Sequence, residues 1–470
     1  MLVNITRSFA FGGREYVAGQ NPDVDPQIAR QWIADGRATA DADNSMDWPS
    51  PALQALVSGA GNTLAIIGDS FSARWYNASG LTTDYQGKGF ITWALSKFGG
   101  GLTVISDSSI GQAQVSLAGS ATTPLVTQID TAVASGAKHL MMMGGINDVL
   151  LGVSSDTIKA AWLEILGKAK AAGMYVWWCT QPGLGASSTA YTTARQAQIF
   201  ELNRWIKQQQ NTSASRRDMT VIDLAAIVQD PNSATGDWVS GYLNSTETDP
   251  KLHPAQPGAM AMGFEVARVW SASGLQCPSI LPTSNADNKA YNAASNILNS
   301  NGLFATGAST ATGYTTATTG GAAVTPTLVS RSDGFGKDQV LTGTFAANND
   351  SFSLVTADLK ANLVLGRWYR MVCELNTASS TNLRCIRAQL AATATSSAIS
   401  NWCQLDSDSD PDTPFAQELT AVVAHTKPFQ YTAALGTVSN FSGVVRAFGS
   451  GAGGTTLKIG RLAIEEVAAP

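Results

Sequence analysis

The stretch that decides the fold is LAIIGDSFSARW, residues 64–75, in which an apolar run ends abruptly at Gly68. A short run that is apolar throughout is typical of a strand covered on both faces of a sheet. A helix-compatible segment follows, which places Ser70 at the carboxyl end of that strand. Binding sites of open α/β sheets lie at this edge. Ser70 is therefore either a nucleophile or a helix-capping residue.

Four more runs of the same kind follow, and helical patterns such as residues 154–173 and 192–210 separate some of them. Regular alternation of buried strands with helices predicts a parallel sheet covered by helices on both faces. The sequence therefore predicts a three-layer α/β/α sandwich with a five-stranded parallel sheet. The five runs are TLAII at 63–67, LTVIS at 102–106, HLMMMGG at 139–145, MYVWWCT at 174–180 and MTVIDL at 219–224.

The 470-residue chain is too long for one ordinary domain. Its character changes after the α/β part: long helical patterns vanish, and short alternating segments are separated by Gly, Thr and Asn. This pattern predicts an antiparallel, jelly-roll-like β-sandwich. We therefore expect four parts: a small N-terminal module with a strand and a helix at 1–50, the α/β domain at 55–275, a linker at 276–300 and the β-sandwich at 301–470.

Composition excludes several classes of function. The formal net charge is -5 without a basic run, which argues against nucleic-acid binding. No apolar stretch of about 18 residues occurs, and the first residues lack the apolar core of a secretory signal, so we expect neither membrane insertion nor secretion. Five widely spaced cysteines without a CxxC motif argue against a zinc site. Pairing between Cys373 and Cys385 is left open.

A serine nucleophile needs a base within hydrogen-bonding distance. The chain has three histidines. His139 begins the third strand, at the opposite edge of the sheet from Ser70, and His425 lies in the β-rich region. His253 lies in a turn-rich loop after the fifth strand, so elimination makes it the candidate base. The alternative is an ordinary surface histidine.

An acyl-transfer site also needs hydrogen-bond donors for the oxyanion, and backbone N–H groups and Asn side chains are suitable. Asn147 follows the third strand, in the sequence GGIND, and so lies at the same sheet edge as Ser70. Ser109 and Gly111 follow the second strand and offer backbone N–H groups. Asn147 could instead bond its own turn.

Four blocks in order, GDSFS, DSSIGQA, GGIND and DPKLHP, resemble those of the SGNH or GDSL hydrolase superfamily over residues 60–270. The resemblance implies a flavodoxin-like fold and a serine esterase that needs no cofactor and no metal. It assigns Ser70 as nucleophile and His253 as base. The oxyanion donors would be Asn147 and the backbone of Ser109 or Gly111.

Two assignments remain to be considered: the acid of the triad, where the chain departs from the family pattern, and the residues of a sugar-binding subsite. The family has an Asp three residues before the histidine, where this chain has Pro250, and Asp249 lies one residue earlier. We expect Asp249 to orient the imidazole; the alternative is a backbone carbonyl and a catalytic dyad. Arg74 and Trp75 are candidates for a sugar-binding subsite, with aromatic packing beneath the first helix as the alternative.

The flanking regions suggest a biological setting. The β-rich region resembles the jelly-roll carbohydrate-binding modules of sugar-active enzymes, on the segments NILNSNGLF, GRWYRMVCEL and LKIGRLAIEEV, and residues 1–50 resemble small N-terminal modules of phage virion proteins. Together they imply a phage tail fibre or spike that deacetylates a bacterial surface polysaccharide. Its partners would be that acetylated polysaccharide, two further copies in a homotrimer, and other tail proteins. The alternatives are a free bacterial acetylesterase, extracellular or cytoplasmic, and a non-catalytic receptor-binding protein.

Overall fold

The computed structural model describes residues 3–5, 9–11, 14–16, 38–40, 61–79, 82–116, 122–210, 218–244, 247, 251–275, 277–285, 297–396, 399–405 and 418–469. In the N-terminal part, four short strands form two antiparallel pairs, β1 with β4 and β2 with β3. The helix predicted within residues 1–50 lies outside the described residues. These strands are β1 (Val3–Ile5), β2 (Phe9–Phe11), β3 (Arg14–Tyr16) and β4 (Ala38–Ala40).

The α/β domain is built on a five-stranded parallel sheet, as the apolar runs predict. The strands of this part of the chain are β5 (Thr63–Gly68), β6 (Tyr76–Ser79), β7 (Thr82–Gln86), β8 (Thr103–Asp107), β9 (His139–Met143), β10 (Tyr175–Cys179) and β11 (Met219–Ile222). The order in the sheet is β11-β10-β9-β5-β8. Every residue of β9 and β10 is buried, which explains why these strands are apolar throughout. The predicted α/β fold is confirmed.

Eight helices follow these strands among the described residues. They are α1 (Ser70–Ala73), α2 (Phe90–Phe98), α3 (Leu125–Ala134), α4 (Ile146–Leu150), α5 (Ser155–Ala171), α6 (Thr193–Gln210), α7 (Leu224–Val228) and α8 (Gln256–Ala272). Helix α2 packs against α8, and α3 packs against α5. The α5 helix begins as the sequence predicts, because the Ser154 hydroxyl accepts a hydrogen bond from the Thr157 N–H at 3.2 Å.

The C-terminal part consists of two antiparallel sheets packed around a shared apolar core, which confirms the predicted β-sandwich. In β17 buried and half-buried side chains largely alternate, as in a strand with one face on a core. The strands are β12 (Tyr314–Thr319), β13 (Ala323–Ser330), β14 (Lys337–Phe345), β15 (Asn348–Thr356), β16 (Trp368–Thr377), β17 (Leu383–Ala394), β18 (Ile399–Leu405), β19 (Leu419–His425), β20 (Phe429–Gln430), β21 (Val438–Ser450) and β22 (Gly453–Val467).

The two parts share a sheet, which the sequence did not predict. One sandwich sheet has the order β12-β15-β21-β17-β18-β7-β6, so its last two strands come from the α/β domain; the other is β13-β14-β22-β16-β19, with β20 beside β16. The antiparallel hairpin β6–β7 pairs with β18 in parallel, with Tyr85 opposite Cys403. Trp93 of α2 and Met260 of α8 also belong to the sandwich core. The α/β domain and the sandwich are therefore continuous in both hydrogen bonding and packing.

None of the five cysteines forms a disulfide, and Cys373 and Cys385 lie on strands of different sheets. Within the described part of the chain, no helix combines the length and apolar character needed to cross a membrane. The described residues also contain no group of three His, Cys, Asp or Glu side chains placed to hold a metal ion.

Candidate active site

Ser70 lies where the sequence places it, directly after the central strand β5 and at the first position of α1. Asp69 caps this helix, since its Oδ1 accepts a hydrogen bond from the Phe71 N–H at 3.0 Å. A Cβ at Gly68 would lie 2.8 Å from the Met143 carbonyl oxygen, so the sharp turn before the serine requires glycine. The turn presents the Ser70 hydroxyl at the carboxyl edge of the sheet.

His253 reaches Ser70 from the loop after β11. Its Nε2 lies 2.7 Å from the Ser70 Oγ. The loop is held by hydrogen bonds on both sides of the histidine: the Asn244 N–H donates to the His253 carbonyl at 2.9 Å, and the Ala255 N–H donates to the Tyr242 carbonyl at 2.8 Å. The Phe71 ring packs against the imidazole at 5.2 Å between ring centres. The hydroxyl and its base are thus in direct contact.

The carboxylate that orients this imidazole is Glu247. Its Oε1 forms a short hydrogen bond with His253 Nδ1, and its Oε2 accepts the backbone N–H groups of Leu252 and His253 at 3.0 and 2.9 Å. Because an ionised carboxylate only accepts hydrogen bonds, Nδ1 carries the proton and Nε2 is left to accept the proton of the serine. Asp249, predicted for this role, lies outside the described residues. Glu247, six residues before the histidine, occupies the role instead.

The charges around the triad favour a neutral base and an ionised acid. Burial raises the pKa of Glu247, but the hydrogen bonds from the His253 side chain and from backbone N–H groups outweigh it and lower the pKa to about 2. Burial lowers the pKa of His253 below its usual value, and the positive charge of Arg74 adds to this, against the opposing effect of Glu247. At neutral pH the imidazole is therefore ready to take a proton.

The predicted oxyanion donors follow the two strands that flank β5. Gly68 lies opposite Met143 in the sheet, so the residues after β9 stand beside Ser70. The Asn147 amide donates one N–H to the Ala113 carbonyl at 2.8 Å, which fixes the carboxamide and leaves its second N–H. Gly111 lines the same depression as Ser70, and among the described residues its N–H has no acceptor.

The choice between Ser109 and Gly111 is resolved by hydrogen bonding. The Ser109 N–H and hydroxyl both donate to Asp107 Oδ1, at 2.9 and 2.6 Å. This backbone donor is occupied within its own turn, so the prediction for Ser109 is corrected. These two hydrogen bonds also hold the segment that leads to Gly111.

The two predicted sugar contacts, Arg74 and Trp75, differ in their surroundings. Trp75 is only 3% exposed, donates its Nε1–H to Asp107 Oδ2 at 2.9 Å, and stacks on Tyr85 at 5.1 Å. It is a packing residue, and the prediction that it binds substrate is corrected. The Arg74 Nη2 donates to Glu247 Oε1 at 2.7 Å, so this side chain first supports the triad. Arg74 also lines the depression beside Ser70.

The other two histidines are buried away from the serine. His139 accepts a hydrogen bond from the Trp177 indole at 3.1 Å, and burial lowers its pKa to about 3. His425 contacts the edge of Tyr85 at the junction with the sandwich, and burial, chiefly, lowers its pKa to about 3. Both stay neutral near pH 7, and His253 is the histidine at the serine.

A buried acidic pair supports the turn that carries the nucleophile. Asp69 is fully buried, and burial, followed by the charge of Asp148, raises its pKa to about 7 against the hydrogen bond from Phe71. Asp148 accepts the N–H groups of Val115 and Ser116 at 2.7 and 3.2 Å. These bonds tie the end of the oxyanion segment to the helix that carries Asn147.

Beside Ser70 lies an open depression of about 400 Å³. Most of its lining side chains are polar. They are Ser70, Arg74, Tyr76, Gln86 and Lys88, together with Ala73 and Gly111.

Comparison with known proteins agrees with this geometry. Residues 66–261 match the GDSL-like Lipase/Acylhydrolase family. This part of the chain is similar to that family, and we call it the acylhydrolase domain after this match. The matched segment contains the serine, the glutamate and the histidine of the triad. No curated protein matches the chain.

Several solved structures are similar to the acylhydrolase domain. A member of the lipolytic protein G-D-S-L family from Veillonella parvula is 15% identical, with 44% of this chain and 98% of that chain covered and a TM-score of 0.31. The acetyl xylan esterase AlAXEase is 16% identical, with 45% and 98% covered and a TM-score of 0.33. Est24, a carbohydrate acetylesterase from Sinorhizobium meliloti, is 15% identical, with 45% and 98% covered and a TM-score of 0.34.

Proposed function

We propose that the protein is a serine esterase that removes acetyl groups from a bacterial surface polysaccharide, as part of a phage tail fibre or spike. The observation that carries the esterase assignment is the continuous hydrogen-bonded series from Ser70 Oγ through His253 to Glu247. A nucleophile, a base and an orienting acid in this order are the working parts of acyl transfer.

The reaction follows from these contacts. Ser70 Oγ attacks the ester carbonyl carbon while its proton passes to His253 Nε2. The Ser70 and Gly111 N–H groups and the free N–H of Asn147 stabilise the oxyanion. The imidazolium then gives its proton to the departing sugar oxygen, which leaves an acetyl-serine. Water, deprotonated by His253, releases acetate and restores the serine.

The depression favours a polar leaving group. A long acyl chain gains its binding energy from apolar surface, at about 25 cal/mol per Å² buried. Among the described residues, the lining of this depression includes the side chains of Arg74, Tyr76, Gln86 and Lys88, and its largest aliphatic side chain is that of Ala73. Such groups suit a hydroxylated sugar carrying a short acyl group.

The tail-fibre setting is the less direct part of the proposal. Its support is the resemblance of residues 1–50 to N-terminal modules of phage virion proteins and of the sandwich to carbohydrate-binding modules. In this setting the protein would be localised to the virion tail as a homotrimer bound to other tail proteins. Light scattering on the purified full chain tests this directly: a trimer supports the proposal, and a monomer favours a free acetylesterase.

Acetate release tests the esterase. The purified protein and its Ser70→Ala variant are incubated with para-nitrophenyl acetate and with O-acetylated bacterial polysaccharides. Release by the wild type alone is the expected result. Polysaccharide binding without acetate release by the wild type would overturn the esterase and support a receptor-binding protein.

A further inference from the structure

One wall of the depression beside Ser70 is formed by the β6–β7 hairpin, which pairs with the sandwich. Tyr76 lies at the start of β6 and Gln86 at the end of β7, and both line the depression. The base of the hairpin is tied to the acylhydrolase domain, since the Gln86 N–H donates to the Trp75 carbonyl at 2.7 Å. Its second strand, β7, is hydrogen-bonded to β18 of the sandwich. This wall therefore depends on both domains.

Gln86 is the unusual residue of this wall. The residue is only 7% exposed, and its carboxamide forms no hydrogen bond with any residue that the structure describes. Its polar atoms are not among the fully buried ones that lack a partner, so they face the open depression, where water satisfies them until a ligand takes its place. A ligand in the depression would supply both an acceptor for its N–H₂ and a donor for its oxygen.

Tyr76, which lines the same depression, has a hydroxyl hydrogen available for donation. The Nζ of Lys427, from the sandwich, lies 2.8 Å from the Tyr76 hydroxyl and 4.7 Å from its ring centre. An ammonium group only donates, so the phenol oxygen accepts, and the phenol hydrogen remains for another acceptor. The Asn401 side chain donates to the Lys427 carbonyl at 3.0 Å, which anchors this lysine in the sandwich.

We propose that Gln86 and Tyr76 bind the sugar ring that carries the ester, and that Lys427 of the sandwich is a positioning residue for Tyr76. This inference rests on the proposed function and adds the subsite for the sugar. Vicinal hydroxyls of a sugar both donate and accept, which matches a carboxamide, and a ring or hydroxyl oxygen accepts the phenol hydrogen. The sandwich thus takes part in substrate selection at the serine.

The experiment compares a sugar ester with an ester that has no sugar. We measure kcat/KM on mono-O-acetylated methyl glucoside and on para-nitrophenyl acetate, and take their ratio. In Gln86→Ala the ratio is expected to fall about three- to tenfold, through a higher KM for the sugar ester, as for one lost neutral hydrogen bond. Gln86→Glu, which keeps the side-chain volume, serves if Gln86→Ala does not fold. Gln208→Ala, on the exposed side of α6, is the matched control and keeps the wild-type ratio.

Lys427 gives a second, independent readout. Lys427→Met is expected to lower the ratio in the same direction, and Lys427→Arg to restore most of it, because either cation can donate to the phenol. A wild-type ratio in Gln86→Ala, or equal losses on both esters in Lys427→Met, would overturn the subsite.

Binding separates this inference from the proposed function. Affinity of Ser70→Ala for the methyl glucoside ester is measured by NMR titration, with and without Gln86→Ala. If the wild type hydrolyses neither ester, the proposed function fails, while Gln86-dependent affinity still supports the subsite. Affinity that is absent or indifferent to Gln86 overturns the subsite, whatever the hydrolysis assay shows.

Discussion

Replacing Glu247 by glutamine tests the triad most directly. Glu247 Oε2 receives two fixed backbone N–H groups, and Oε1 receives the side chains of Arg74 and His253. A glutamine keeps its oxygen toward the two backbone donors, since these cannot rotate away. Its N–H₂ group then faces Nδ1 of His253, which must accept rather than donate.

The magnitude follows from the proton's position. With Nδ1 accepting, the imidazole proton moves to Nε2, and the base can no longer accept the proton of Ser70. The same exchange of carboxylate for amide lowers kcat by about 10⁴-fold in a serine protease, which is about 5 kcal/mol of transition-state stabilisation. We expect kcat of Glu247→Gln to fall about 10³- to 10⁴-fold, with a small change in KM.

The assay is steady-state hydrolysis of para-nitrophenyl acetate by Glu247→Gln, Asp249→Asn and Glu201→Gln. Glu201 is an exposed glutamate on α6 and serves as the matched control. Asp249→Asn is expected to stay close to wild type, because Nδ1 already has its acceptor. The reasoning is refuted if Glu247→Gln keeps wild-type kcat, or if Asp249→Asn loses as much activity as Glu247→Gln.

Three further predictions follow from the site. Asn147→Ala removes one oxyanion donor and should lower kcat about 10²- to 10³-fold at nearly constant KM, and a loss under fivefold in steady-state kinetics would contradict this role. Arg74→Met removes a positive charge that lowers the pKa of His253, so the acid limb of the kcat/KM profile should move to higher pH; a static limb speaks against it. Asp69 has a pKa of about 7 when folded against 3.8 for its ordinary value, so the native state retains a proton that the unfolded state releases. The stability advantage of the wild type over Asp69→Asn should therefore shrink from pH 4 to 7, and a constant Tm difference would argue against this.

The sheet and two members of the triad were predictable because their signals are local. Five apolar runs and the helical patterns between them are enough for a parallel sheet, since both faces of each strand are buried. Ser70 and His253 follow from their positions after strands of that sheet. The position of Ser70 depends on chain neighbours within a few residues, which sequence patterns report well, whereas His253 was chosen by elimination among three histidines.

The acid of the triad was missed because its spacing is not fixed by local structure. Glu247 lies six residues before His253, and the loop folds back so that two of its own N–H groups reach the carboxylate. The stretch TETDPKLHP contains both Glu247 and Asp249, and the sequence provides no physical reason to choose between them.

The lining of the depression could not be predicted for a different reason. Trp75 and Arg74 stand beside the serine in the chain, but their side chains turn to Asp107 and Glu247. Gln86, which lines the depression together with Arg74, is held there by a strand whose partner lies in another domain. No local sequence pattern in either strand predicts that β7 pairs with β18.

The shared sheet has a consequence for synthesis on the ribosome. The pairing of Asp84 with Trp402 joins positions about 320 residues apart, so β7 leaves the ribosome long before β18 exists. At roughly 5 to 20 residues per second, that delay is on the order of 15 to 60 seconds. During it the nascent acylhydrolase domain exposes the unpaired edge of β7, a template for pairing with other chains. During this period the yield of folded protein depends on whether that edge is kept from pairing with other chains. The stability of the finished fold does not protect it yet.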